Sequence, residues 1–153
     1  AVGVATGAVA GLVAITPASG FVGVMGALAI GIGAGGFCYA ALLLRKKTRI
    51  DDALDVFAVH GIGGIWGALA TGVFAAAAIG GTSGVIEGNA SQMVTQLIAV
   101  VATIAYSFVA SLILLKVLDL IPGLGIRASE SDEEQGLDLM SHGERATVSD
   151  GAD

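Results

Sequence analysis

Three stretches of this chain, roughly Phe21 to Leu44, Val56 to Ile79 and Met93 to Leu120, stay apolar almost throughout. Each holds the roughly 20 residues that a helix needs to cross the hydrocarbon core of a bilayer. Inside that core an exposed peptide group finds no water, so a segment of this kind must satisfy its own backbone, as a helix does. The expected fold class is therefore an all-α polytopic membrane protein. Composition agrees, with 55% hydrophobic residues, 13% charged residues and 24 glycines, far from the soluble average.

A fourth apolar run, Ala1 to Ile15, would reach only about 22 Å as a helix against a core of roughly 30 Å. The sequence opens in mid-pattern, without a basic leader or an initiator methionine, so the run reads as a cut helix and the chain as a fragment. Residues 1–121 are expected to form transmembrane helices, with spans at about 1–15, 21–44, 56–79 and 93–120, and residues 122–153 an acidic tail.

Charge orients these segments. From Pro122 onward there are eight acids and two bases, which carry the whole net charge of -6, while the apolar body balances five acids with five bases. The dense cluster "RKKTR", Arg45 to Arg49, lies in a short loop and marks the cytoplasmic side. On that topology the Ile15 to Gly20 turn and the loop "GGTSGVIEGNASQ" face outward, and the tail is cytoplasmic. Lys116, near the inner end of the last span, can snorkel to the interface. No basic face suggests nucleic acid, and Cys38, the single cysteine, reads as a small buried residue. No nucleophile with a base, paired carboxylates or phosphate loop can be composed, so an enzyme is not expected. Neither is a cofactor or a metal, since the only other histidine, His142, lies in the tail.

Small residues recur at four-residue spacing: Gly31 and Gly35, Gly63 and Gly67, then Gly64, Ala68 and Gly72. Such faces let membrane helices approach closely and predict a tight bundle. Trp66 and Tyr106 read as packing residues, and Gln92 and Gln96 as solvated or capping groups at an outer helix end.

Into this apolar background the segment "DDALDVFAVHGIGG" brings one titratable ring. Asp51 and Asp52 suit the N-terminus of the helix, where carboxylates cap free N–H groups and meet the positive end of the dipole. Asp55, a turn further in, needs either water or a specific partner. A helix begun at Asp51 would place His60 about 13 Å along its axis, near mid-bilayer, where an ionisable group is costly and marks a functional site. The plain alternative is a structural ring bonded to a neighbouring helix's carbonyl. A neutral imidazole both donates and accepts a hydrogen bond, which suits it to pass a small polar molecule or a proton. Val56, at i−4, shares a face with it. The two would give an apolar stripe with one polar point, as a narrow pore for a neutral molecule requires.

The stretch from Ile50 to Ala75 resembles the ammonium transporter family (Amt, related to Rh proteins), whose tenth transmembrane helix carries a D-V-F-x-V-H-G-x-G-G signature. "GLVAITPASGFV", Gly11 to Val22, is similar to the end of that family's eighth helix, and "GIRASESDEEQGLDLMSHGE", Gly125 to Glu144, to its C-terminal tail. The resemblance implies an eleven-helix fold with an inverted repeat, assembled as a homotrimer with one pore per subunit in the cell (plasma) membrane, of which this chain holds helices eight to eleven and the tail. By position it implies that His60 is the second histidine of a twin pair, that Val56 lines the pore, and that ammonium is deprotonated and passed as ammonia. The first histidine belongs to earlier helices, so this chain alone is not expected to transport. Composition alone would make the tail a disordered extension. The resemblance instead implies a regulatory tail, involving Gly125, Arg127, Gly136, Leu137, Asp138, Ser141, His142, Gly143 and Glu144, that packs on the cytoplasmic face and helps a PII-type signalling protein block the pore. Beyond Glu144 disorder is expected. Two alternatives stay open: an ammonium sensor signalling through its tail, and a non-transporting membrane scaffold.

Overall fold

Helices faced with glycine and alanine gain little from hydrophobic burial inside a bilayer, and pack there by van der Waals fit. The computed structural model, which describes residues 2–48 and 50–144, is helical in that manner. Helix α1 spans Val2–Ile15, and α2 spans Val24–Arg45. Helix α3 runs over Phe57–Phe74, and α4 is the single turn Ala77–Gly80. Helix α5 spans Ser91–Asp119, and the short α6 (Glu130–Gln135) and α7 (Leu137–His142) follow. Short 3-10 turns lie at Thr16–Ala18 and Val85–Glu87. Among the described residues the only β pairing is an isolated bridge between Val22 and Ala75. By length and apolarity α2, α3 and α5 can each cross a membrane.

The chain forms two compact units, Ala1–Ile104 and Ala105–Asp153. In the first, α1, α2 and α3 pack on one another. One cluster buries Ala14, Ala18, Ile30, Ala34 and Ala70, with Trp66 and Phe74 against it, and a second buries Ala10, Cys38 and Val59. Cys38 is buried, as its sequence setting suggested. Among the described residues Ile30 is the one large side chain wholly inside, so the core is a set of close backbone approaches. A Cβ on Gly63 would stand 3.2 Å from Cys38 Sγ, and one on Gly67 would strike the Ala14 carbonyl. Gly31, Gly35 and Gly64 have open space beside them among the described residues.

Three details depart from the sequence reading. Helix α3 ends at Phe74, whereas apolarity carried the span to Ile79. The cause is competition for the backbone: Ala75 and Ala76 turn extended, Ala76 N–H donates to the Phe21 carbonyl at 2.9 Å, and Gly84 N–H donates to the Ala75 carbonyl at 2.7 Å. Gln92 and Gln96 are half-buried, and a Cβ on Gly72 would meet Gln96 Cγ at 3.1 Å, so they belong to packing against α3. Tyr106, in contrast, is 76% exposed, and α5 buries none of its residues.

In the second unit the described tail residues form α6 and α7. Ser129 caps α6 by accepting from Asp132 N–H at 3.2 Å, Gly136 at φ 93° makes the corner, and Gly143 at φ 67° ends α7. These left-handed positions favour glycine. The expectation of disorder beyond Glu144 falls outside the described residues.

Candidate functional site

The site is the start of α3 and the loop that leads into it from α2. Helix α2 closes with Lys46 N–H on the Leu42 carbonyl at 3.2 Å, and Thr48 Oγ1 donates back to the Arg45 carbonyl at 2.8 Å. From Ile50 through Asp55 the chain is irregular. Asp52 accepts from Val56 N–H with Oδ1 at 2.8 Å and from Phe57 N–H with Oδ2 at 2.9 Å. One carboxylate thereby satisfies two of the N–H groups that a helix start leaves unpaired. Asp51 is exposed and forms neither of these bonds, so the capping expected of the Asp51/Asp52 pair falls to Asp52.

Asp55 has a specific partner, one of the two options its position left open. Its Oδ1 lies 2.7 Å from Arg45 Nε, tying the end of α2 to the start of α3. Both atoms are shielded from solvent and neither makes an aligned hydrogen bond, so the contact is one of charge with charge. The backbone of Asp55 is at φ 54°, the only positive φ outside glycine among the described residues. That conformation is uncommon for a residue with a Cβ, although Asp and Asn accept it better than most.

From this start the helix makes a wide turn. Phe57–Gly61 is π-helical, and Ile62 N–H reaches back to the Phe57 carbonyl. A π turn inserts an extra residue and commonly marks a functional position. Because residues 51–55 are not helical, His60 stands four residues beyond Val56, about 6 Å along the axis, and not the 13 Å that an earlier helix start would give.

His60 is exposed in this chain and lines two cavities. One, of about 540 Å³, is bounded by α1 and the turn after it, with Val9, Val13, Thr16 and Pro17. The other, of about 730 Å³, lies against the α2–α3 loop, with Arg45, Thr48, Asp52 and Val56. Val56 and His60 therefore share a cavity wall, as their spacing suggested. Gly64, one turn beyond His60, lines the first cavity, and its missing side chain leaves that space open.

The remaining site residues named from the sequence lie in the second unit. Gly125, Gly136, Leu137, Asp138, Ser141, Gly143 and Glu144 are exposed there, as is His142. Arg127 pairs with Glu133, Nε to Oε1 at 3.2 Å and an Nη2 bond to Oε2 at 3.3 Å, and this carboxylate raises the guanidinium above its already high pKa. The spacing gave no sign of Arg45 as the partner of Asp55. Its only signal was that the basic cluster beginning at Arg45 lies close to Asp55 in sequence. Among the described residues no group of three or more histidine, cysteine or carboxylate side chains is placed to hold a metal.

The family model described as "Ammonium Transporter Family" matches residues 1–147. This chain belongs to that family. Ammonium transporter Amt1 of Archaeoglobus fulgidus is 49% identical over 144 residues, which are 94% of the chain and 36% of that protein. The ammonium transporter of Bacillus subtilis is 45% identical over 147 residues, 94% of the chain and 36% of that protein. Among solved structures, Mep2 of Saccharomyces cerevisiae superposes with a TM-score of 0.75 at 38% identity, over 82% of this chain and 30% of that one. The chain spans about a third of the length of the curated family members it matches. Its helical, membrane-spanning architecture is that of an ammonium transporter family member.

Proposed function

We propose that this chain forms part of a pore that carries ammonium across a membrane as ammonia, with His60 its polar point. The observation that carries the reading is the position of His60 on the walls of both cavities, one on the α1 side and one on the loop side. A neutral imidazole there offers an acceptor to a donor molecule on one side and a donor to its lone pair on the other. The apolar wall disfavours a cation in transit, so ammonium gives up its proton before it passes. Val56 lines the loop-side cavity without offering a competing hydrogen bond.

The test is His60→Ala in the intact protein reconstituted in liposomes. Ammonium or methylammonium uptake is expected to change by about tenfold, equivalent to about 1.4 kcal/mol in the barrier, with oligomeric assembly retained. Unchanged flux and selectivity would remove His60 from the pore.

Family resemblance supports further parts of the reading: a homotrimer in the plasma membrane, the loop of Arg45, Lys46 and Lys47 and the C-terminus on the cytoplasmic side, and a tail that receives a PII-type protein. The basic residues of the short α2–α3 loop support that orientation. Deleting Gly136 to Asp153 is expected to abolish inhibition by the PII-type protein in the same liposomes. Inhibition that persists in full would separate the tail from that role.

A further inference from the structure

The loop-side cavity has walls from two elements, the end of α2 with its loop (Arg45, Thr48, Asp51, Asp52) and the start of α3 (Val56, His60). The 2.7 Å contact of Arg45 Nε with Asp55 Oδ1 ties these two elements together. Asp55 also begins the helix: its carbonyl accepts from Val59 N–H at 3.0 Å, and its own N–H donates to the Asp52 carbonyl at 3.1 Å. The π turn that ends at Gly61 starts two residues later. A left-handed backbone followed at once by a π turn persists only when the surroundings over-determine it. Here Asp52 fixes the amides, and Arg45 fixes the side chain of Asp55.

We propose that Arg45 and Asp55 are a positioning pair that sets where His60 stands and how wide the loop-side mouth of its cavity is, and thereby the size of amine that passes. Arg45 lines the cavity, but in this scheme the pair acts on the transported molecule through the placement of His60 and the width of the mouth. Pairing also silences their charges, since a lone guanidinium at the mouth would repel a cation and a lone carboxylate would hold one. As an account of selectivity the proposal rests on the transport reading above. Its geometric part, the width of the mouth, does not.

The experiment compares Arg45→Gln, Asp55→Asn and the double variant in the intact protein. Asparagine accepts a positive φ, so Asp55→Asn removes charge and leaves the backbone conformation available. In liposomes each single change is expected to lower ammonium flux by about ten- to a hundredfold, the scale of an ångström-level misplacement, and to raise the ratio of methylammonium to ammonium carried. The double variant is expected to be no worse than the weaker single, as for two residues acting as one unit. Arg45→Lys keeps a cation within reach and is expected to retain most of the native ratio. Losses that multiply, a ratio that does not move, or single variants that shift flux in opposite directions would each overturn the pair's positioning role, the last by showing a purely electrostatic one.

A second readout needs no transport. Val56→Cys in a Cys38→Ala background is labelled by an impermeant maleimide applied on the loop side. Adding Asp55→Asn or Arg45→Gln is expected to speed labelling severalfold, and equal rates overturn the proposal even where flux has fallen. If the unmodified protein carries no ammonium, the transport reading fails while labelling still decides the width of the mouth.

Discussion

The two ends of α3 are held by opposite means. From Ile62 to Phe74 the helix is regular, and its fixed points are missing side chains: Gly63 against Cys38, Gly67 against Ala14, and Gly72 against the start of α5. Its start, with the residues from Asp52 that lead into it, is held by polar groups: a carboxylate on two amides, a charge pair, a left-handed residue and a π turn. Close packing without polar groups gives rigidity but cannot aim a particular ring, because sliding a smooth apolar face costs little until a backbone collides. Charges and caps have direction, and they lie at the end of the helix that carries His60. The chain thus separates holding the bundle together from setting the geometry of the site.

Gly67→Ala is the strongest attack on the packed end. The added methyl meets the carbonyl of Ala14, a backbone atom that no rotamer change can move aside, so α1 and α3 must part. Overpacking of this sort costs about 3 kcal/mol, and thermal unfolding of the purified protein in detergent is expected to shift far down. Gly64→Ala, with open space beside that glycine, is the matched control. If both variants unfold alike, the close approach of α1 to α3 is not what holds this end.

Asp52→Ala attacks the polar end. It removes the acceptor of two amides at once, and loss of a cap of this kind costs about 1–2 kcal/mol. Asp51→Ala, which breaks neither bond, is expected to be nearly neutral. The comparison is sharpened by asking which assay responds more. Asp52→Ala is expected to reduce ammonium flux further than its modest stability loss accounts for, because the amides it frees begin the turn that carries His60. A flux loss no greater than that of an equally destabilised packing variant would show that the polar end merely stabilises.

Legibility in the sequence divided along the same line. The spans could be read because a bilayer imposes length and apolarity on 20-residue windows, and the cap at Asp52 because its chemistry is local. The π turn could not, since "FAVHG" suits an α-helix equally well. The end of α3 was hidden for a related reason. "AAAA" after Phe74 is a strong helix former, and what stops it is pairing with Phe21 and Val22, more than fifty positions earlier. Val56 and His60 were legible as cavity neighbours by spacing alone, whereas the loop that completes their cavity was not.

The smallest predicted effect tests whether polar contacts matter at the packed end too. The indole of Trp66 lies in the space left by Gly33, its ring centroid is 4.6 Å from that of Phe37, and its Nε1–H donates to the Ile30 carbonyl at 2.9 Å. This bond looks like the same kind of device as the cap at Asp52. Its context differs, because Ile30 is inside α2 and its carbonyl already faces the N–H four residues on. Losing the indole donor therefore leaves no orphaned acceptor, and hydrogen bonds between membrane helices average about 0.6 kcal/mol. Trp66→Phe removes the donor, keeps an aromatic face toward Phe37, and is expected to cost about 1 kcal/mol once the small void beside Gly33 is included. The thermal transition should fall slightly, with ammonium flux and the methylammonium ratio unchanged. A loss matching that of Asp52→Ala would mean that directed polar contacts run the whole length of α3, and that Trp66 also helps to set the position of His60.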